Sequence, residues 1–255
     1  MEILYALPSI IIISLISVVV AIPLLLMKKI SNKLLLFLLS VSVGVLLSTV
    51  FMEFLPELFS HDYSIGLAFN ILFGFLLMFI LEKLVHYHHS KKCEEGDCGH
   101  GHAYNLAPIN LIGDGIHNFI DGLVIAGSYA VNITLGITAT ISIIFHEIPQ
   151  EIADFGVLLY SGMSKKKALL FNFLSAFTAI IGTLIGIMLV GKLDGFTEFI
   201  IPFAAGNFIY IAASNLVPQL HRQCKIHDTI LHILAILLGI GIIALVTLYS
   251  PAHGH

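Results

Sequence analysis

The chain has 255 residues, is 58% hydrophobic and only 11% charged, and carries a formal net charge of −4. A soluble domain contains roughly 25% charged residues, so the composition excludes an ordinary soluble protein and points to the lipid bilayer. No basic face is available for nucleic acid, and three cysteines exclude a disulfide framework.

The first apolar run, 3–27, has neither a basic leading segment nor an A-x-A cleavage site. It reads as a retained span rather than a signal peptide. A span needs about 20 mostly apolar residues, and seven more such runs follow: 34–59, 64–86, 106–129, 133–160, 167–191, 197–220 and 229–249. Lipid satisfies no backbone polar group, so runs of this length are helices. The expected fold class is an all-α, multi-pass integral membrane protein of the cell membrane. It has eight transmembrane helices in a single domain, 1–255.

Cations set the orientation. Lys28, Lys29 and Lys33 follow the first span, and Lys83, Lys91 and Lys92 end or follow the third. Lys165, Lys166 and Lys167 follow the fifth, Arg222 and Lys225 the seventh, and Lys192 alone follows the sixth. Eleven of twelve thus share one face, which the positive-inside rule makes cytoplasmic. Both termini are then extracytoplasmic. The cytoplasmic loop at about 87–104 concentrates imidazole and thiol around the end of the third span: His86, His88, His89, Cys93, Cys98, His100 and His102. It reads either as a solvated loop or as a loose metal-capture segment, since both ligand types suit zinc.

Two stretches in oppositely directed spans echo one another. "STVFMEFLPELF" in the second and "YIAASNLVPQLH" in the seventh align Pro56 with Pro218, Glu53 with Asn215 and Glu57 with Gln219. Such similarity marks inverted-repeat transporters, which bind substrate near the membrane midplane.

The fourth and fifth spans carry the chemistry. At about 100° per residue, Asp114, His117, Asn118 and Asp121 share an arc of roughly 100°, and His146, Glu147, Gln150, Glu151 and Asp154 one of roughly 140°. A carboxylate at mid-membrane costs roughly 2.5–3.5 kcal/mol on insertion scales. Neither span holds a lysine or arginine to offset it. Two compensations remain: protonation, which burial favours, or a divalent cation held by His, Asp, Glu, Asn and Gln. That donor set suits zinc, iron(II), manganese or cobalt. Asp154, nearest the cytoplasmic end, is also placed to snorkel towards water. Pro149 removes the bond to the Phe145 carbonyl, which is expected to face a polar cavity beside His146.

At these residues the chain resembles the ZIP (Zrt/Irt-like) divalent-metal transporters, particularly the bacterial and LIV-1-like branch. "HNFIDG" at 117–122 and "HEIPQEIADF" at 146–155 resemble the family's fourth- and fifth-helix signatures. "MEFLPEL", "NFLSA" and "AAGNFIYIAASNLVPQL" resemble those of helices two, six and seven. The resemblance implies import of divalent cations, with zinc as substrate and no organic cofactor, by an elevator-like motion of one helix bundle against another. It implies a binuclear centre: one site of His117, Asp121, His146 and Gln150, and a second of Asn118, Asp121, Glu147 and Gln150 with Asn172 nearby. Glu151 and Asp154 would line the exit, and Glu53 the entrance side. Gln150 stands where the family usually has His or Glu, Glu53 where it often has His, and Asn215 and Gln219 where acids are common. Among oligomeric states a homodimer is favoured. Two other readings stay open: an intramembrane zinc metallohydrolase, because "HEIPQ" opens like H-E-x-x-H, and a metal sensor without flux.

Overall fold

The computed structural model describes residues 2–26, 32–60, 64–94, 102–160, 162–190, 192–221 and 226–249. Among them every regular element is helical and there is no strand. A short 3₁₀ turn leads into α1 (Ala6–Leu26), followed by α2 (Asn32–Thr49), a π segment (Val50–Phe54) and α3 (Leu55–Phe59). Then come α4 (Ile65–Glu94), α5 (His102–Val131), α6 (Ile133–Tyr160) and α7 (Lys165–Val190). The chain continues as α8 (Phe196–Ile209), a second π segment (Tyr210–Leu216), α9 (Val217–Leu220) and α10 (Ile226–Tyr249).

Among the described residues, five helical stretches are long and apolar enough to cross a membrane: Leu36–Phe59, Ile65–Leu84, Lys165–Val190, Phe196–Leu220 and Ile226–Tyr249. Helices α5 and α6 are long enough but fall outside this set, because their acids, amides and imidazoles lower the hydropathy. The 87–104 segment departs from the expected loop: α4 continues to Glu94 and α5 begins at His102, so His88, His89 and Cys93 stand on helical backbone. Cys98 and His100 lie outside the described residues. So do the side chains of His86, His88, His89, Cys93 and His102.

In both interrupted spans a proline stands two residues after the π segment. A proline ring crowds the carbonyl four residues back, and a π turn widens the preceding backbone. The N–H of Leu55, just before Pro56, bonds to the Val50 carbonyl, and that of Val217, just before Pro218, bonds to the Ala212 carbonyl. The two bonds occupy the same place relative to their prolines.

Burial separates inner from outer spans. The stretches through α2–α3 and α8–α9 are 67% and 72% buried, against 11% for α4 and 22% for α10. The outer helices turn Leu, Ile and Phe outward, as lipid requires. Two outer–inner pairs, α2 with α10 and α4 with α8, close on reciprocal glycines. A Cβ on Gly44 or Gly239 would strike the Ile236 or Val41 carbonyl, and one on Gly74 or Gly206 the Phe203 or Ile71 carbonyl. Helix α7 sits as closely on α5, where a Cβ on Gly182 would meet the Phe119 carbonyl.

Helix α6 runs unbroken through Pro149. The Phe145 carbonyl that the proline leaves unbonded does not face an open cavity. The Ser42 hydroxyl of α2 donates to it at 2.5 Å and shares its proton with the Leu38 carbonyl at 2.8 Å. Intramembrane hydrogen bonds average about 0.6 kcal/mol, so Ser42→Ala is expected to lower unfolding stability in detergent by about that amount. A change of several times that size would mean that Ser42 holds more than this carbonyl.

Candidate metal centre

Asn132 alone links α5 to α6. Its side-chain oxygen accepts the Leu135 N–H at 2.8 Å and caps α6, so α6 folds back along α5 and the two polar stripes face each other. His117, Asp121, His146 and Glu147 converge there, all at most 5% exposed. One ligand atom from each lies within 4.8 Å of all the others. The two Nε2 atoms are 3.3 Å apart. Asp121 Oδ2 is 3.0 Å from His146 Nε2 and 3.7 Å from His117 Nε2, and Glu147 Oε1 is 3.5 and 3.6 Å from the His117 and His146 nitrogens.

The chemistry of these atoms matters more than their closeness. His146 Nδ1 lies 2.9 Å from the Ser142 carbonyl. A carbonyl only accepts, so Nδ1 carries a proton towards it, and Nε2, 3.0 Å from Asp121 Oδ2, either holds a second proton or offers its lone pair to a cation. Asp121 Oδ1 and both Glu147 oxygens have no hydrogen-bond donor. Electron-rich atoms therefore converge without a positive partner, and only a cation satisfies them: a proton on Nε2, or a metal ion in its place. A tetrahedron with zinc–ligand bonds of about 2.0–2.1 Å has edges of about 3.3 Å. The separations of 3.0–3.7 Å already bracket that edge.

The flanking amides each donate a proton to a neighbouring carboxylate. Asn118 and Gln150 both donate their amide protons to Asp114 Oδ1, at 2.9 and 3.2 Å. Asn172 of α7 donates to Glu151. Glu147 joins His117, Asp121 and His146 in the tight cluster of acids and imidazoles, and the donated amide protons leave the oxygens of Asn118 and Gln150, the atoms that would bind a metal, out of these bonds. Glu53 is buried in the first π segment and accepts from Thr247 of α10.

A cavity of about 320 Å³ leads away from the cluster. His117, His146 and Asp114 line it, as do Gln150, Asp154 and Glu82. Asp154 and Gln219 place its mouth on the lysine-rich side. In the other direction, towards the Asn132 turn, Val124, Ile125, Leu135 and Ile143 are fully or almost fully buried. Phe208 sets its ring edge-on to His146 at 5.8 Å and stacks on Phe54 at 5.6 Å. Among the described residues, the cavity lies on the Asp154 side of the cluster and apolar side chains pack on the other. Sequence reasoning missed Phe54, Phe208, Glu82 and Tyr210. Apolar rings in an apolar span carry no signal, and a lone acid near a span end looks like an interfacial residue.

The sequence pattern of the ZIP Zinc transporter family matches residues 2–109 and 99–247. Zinc transporter ZIP10 of Mus musculus is 37% identical over 155 residues, 57% of this chain and 19% of that protein. Zinc transporter zipt-7.2 of Caenorhabditis elegans is 38% identical over 149 residues, 56% of this chain and 32% of that protein. Zinc transporter ZIP6 of Homo sapiens is 32% identical over 169 residues, 64% of this chain and 22% of that protein. The matches thus span a fifth to a third of these relatives' length. With the family pattern covering nearly all of its length, the chain belongs to the ZIP zinc transporter family, whose members are multi-pass membrane proteins.

Proposed function

We propose that this chain carries divalent transition-metal cations, zinc foremost, across the cell membrane into the cytoplasm. The ion binds between α5 and α6 on His117, Asp121, His146 and Glu147. The observation that carries this reading is the convergence of imidazole lone pairs and undonated carboxylates at tetrahedral-edge spacing in a buried site. Asp114, Asn118, Gln150, Glu151 and Asn172 surround the ion as a polar shell that also orients Asp114 and Glu151. Glu53 lies on the outer approach, and Asp154 on the way out.

The finer architecture has its own support. Eight spans in one domain, with both termini outside, follow from the cation distribution and from α5 and α6 burying their polar stripes against each other. The inverted repeat is supported by the matched π segments and by glycines. Gly44 and Gly206 stand equally far before Pro56 and Pro218, and each seals an outer helix to its span. The packed side above the cluster and the cavity below it support an inward-open reading. In a cycle, the ion sheds water, exchanges it for these ligands and leaves through the cavity. Mixed, uncrowded ligands allow that release.

The metallohydrolase reading lacks its second histidine: the i+4 position is Gln150. Uptake into proteoliposomes tests transport. Saturable zinc entry above protein-free vesicles, lost in His117→Ala, is expected. Zinc binding without entry would favour a sensor.

A further inference from the structure

Helix α4 is the least buried of the apolar spans, at 11%, and within Ile65–Leu84 it carries a single acid, Glu82. Glu82 does not face lipid. It lines the same cavity as His117, His146 and Asp114. The Tyr210 hydroxyl, from the second π segment, donates to its Oε2 at 2.7 Å. Phe75 and Phe79 of α4 set their rings edge-on to Tyr210 at 5.2 and 6.4 Å and so fix the hydroxyl. Asp114, 5% exposed, has an Oδ2 without any hydrogen-bond donor on the wall of this cavity.

We infer that Glu82 is a further residue of the translocation path: a carboxylate, held by Tyr210, that receives the divalent cation from the Asp114 side of the central cluster on its way out. The inference rests on the transport reading above. A cation leaving two imidazoles and two carboxylates for water crosses a low-dielectric cavity, where each step needs a negative partner. Asp114 and Glu82 line the same cavity from two different helices, and Asp114 also sits beside the central cluster. The competing role is a plain structural clasp between α4 and the Tyr210 segment. The two roles differ in what they need. A clasp needs only an acceptor for the Tyr210 hydroxyl, which a glutamine carbonyl supplies. A relay needs the negative charge.

The test uses the full chain in proteoliposomes containing a trapped zinc-sensitive dye, with His117→Ala in parallel and with unfolding temperature and zinc binding measured on the same preparations. E82Q is expected to slow zinc entry roughly tenfold while unfolding temperature and central-site zinc binding stay at wild-type values. E82D is expected to restore part of the rate, and Y210F to slow entry less than E82Q. Wild-type entry in E82Q, with Y210F destabilised, would make the pair a clasp and overturn the inference. If His117→Ala also transports normally, the central-site reading fails instead, so the two failures are distinct.

Discussion

Glu147→Gln is expected to stabilise the metal-free protein and to weaken zinc binding at the same time. Both Glu147 oxygens are buried without a donor, and Oε1 lies 3.5 and 3.6 Å from the His117 and His146 Nε2 atoms. A buried, unsatisfied polar group costs about 1–3 kcal/mol, and a charged one more. A glutamine amide has the same shape, carries no charge and brings two N–H donors to a site crowded with acceptors. Metal-free unfolding should therefore move upward by about 1–3 kcal/mol. The same substitution removes an anionic ligand. Loss of an outer-shell partner already costs 10–100-fold in affinity, so direct loss should cost at least about 100-fold. Thermal unfolding in detergent with and without zinc reads both effects. The wild-type protein should gain a large zinc-induced shift, and the E147Q variant almost none from a higher starting point. Destabilisation of the metal-free variant would show that the carboxylate is satisfied within the protein, and the case for a cation would weaken.

The second large effect lies in the helix contacts. Gly206→Ala adds a single methyl, yet that methyl would strike the Ile71 carbonyl of α4. No rotamer relieves a clash at Cβ, so α4 and α8 must separate and lose packing along their length. Overpacking costs typically 1–3 kcal/mol and occasionally more, and a backbone collision belongs at the upper end, about 3 kcal/mol. Gly44→Ala, against the Ile236 carbonyl, should behave alike, since it occupies the corresponding place in the other pair. Gly241→Ala is the control. A Cβ there meets nothing within 4 Å, and replacing glycine within a helix gains about 0.8–1 kcal/mol. The unfolding midpoints of the first two variants should fall below wild type and that of the control above it. Equal behaviour would mean that the close approach does not hold the helices together.

Much of this was legible in the residues because lipid forces helices and makes misplaced polar groups conspicuous. The apolar runs end within a few residues of the helices, apart from the extension of α4 to Glu94. The facing of His117 and His146 followed from stripes whose acids needed company. What sequence could not supply was partner choice. Asn118 and Gln150 share arcs with the histidines, yet they donate to Asp114, because helical phase fixes direction and not rotamer. Pro149 announced a freed carbonyl, but nothing in α6 named Ser42 as its donor. Pro56 and Pro218 were visible as an echo. The π turns before them were not, since an i→i+5 bond leaves no residue signature.

The most direct measurement is anomalous diffraction from crystals of the full chain grown with zinc, recorded above and below the zinc absorption edge. A peak is expected between α5 and α6, with nitrogen from His117 and His146 and oxygen from Asp121 and Glu147 all at about 2.0–2.2 Å. Zinc peaks confined to other parts of the protein, with these four side chains as close together and no ion among them, would contradict the central site.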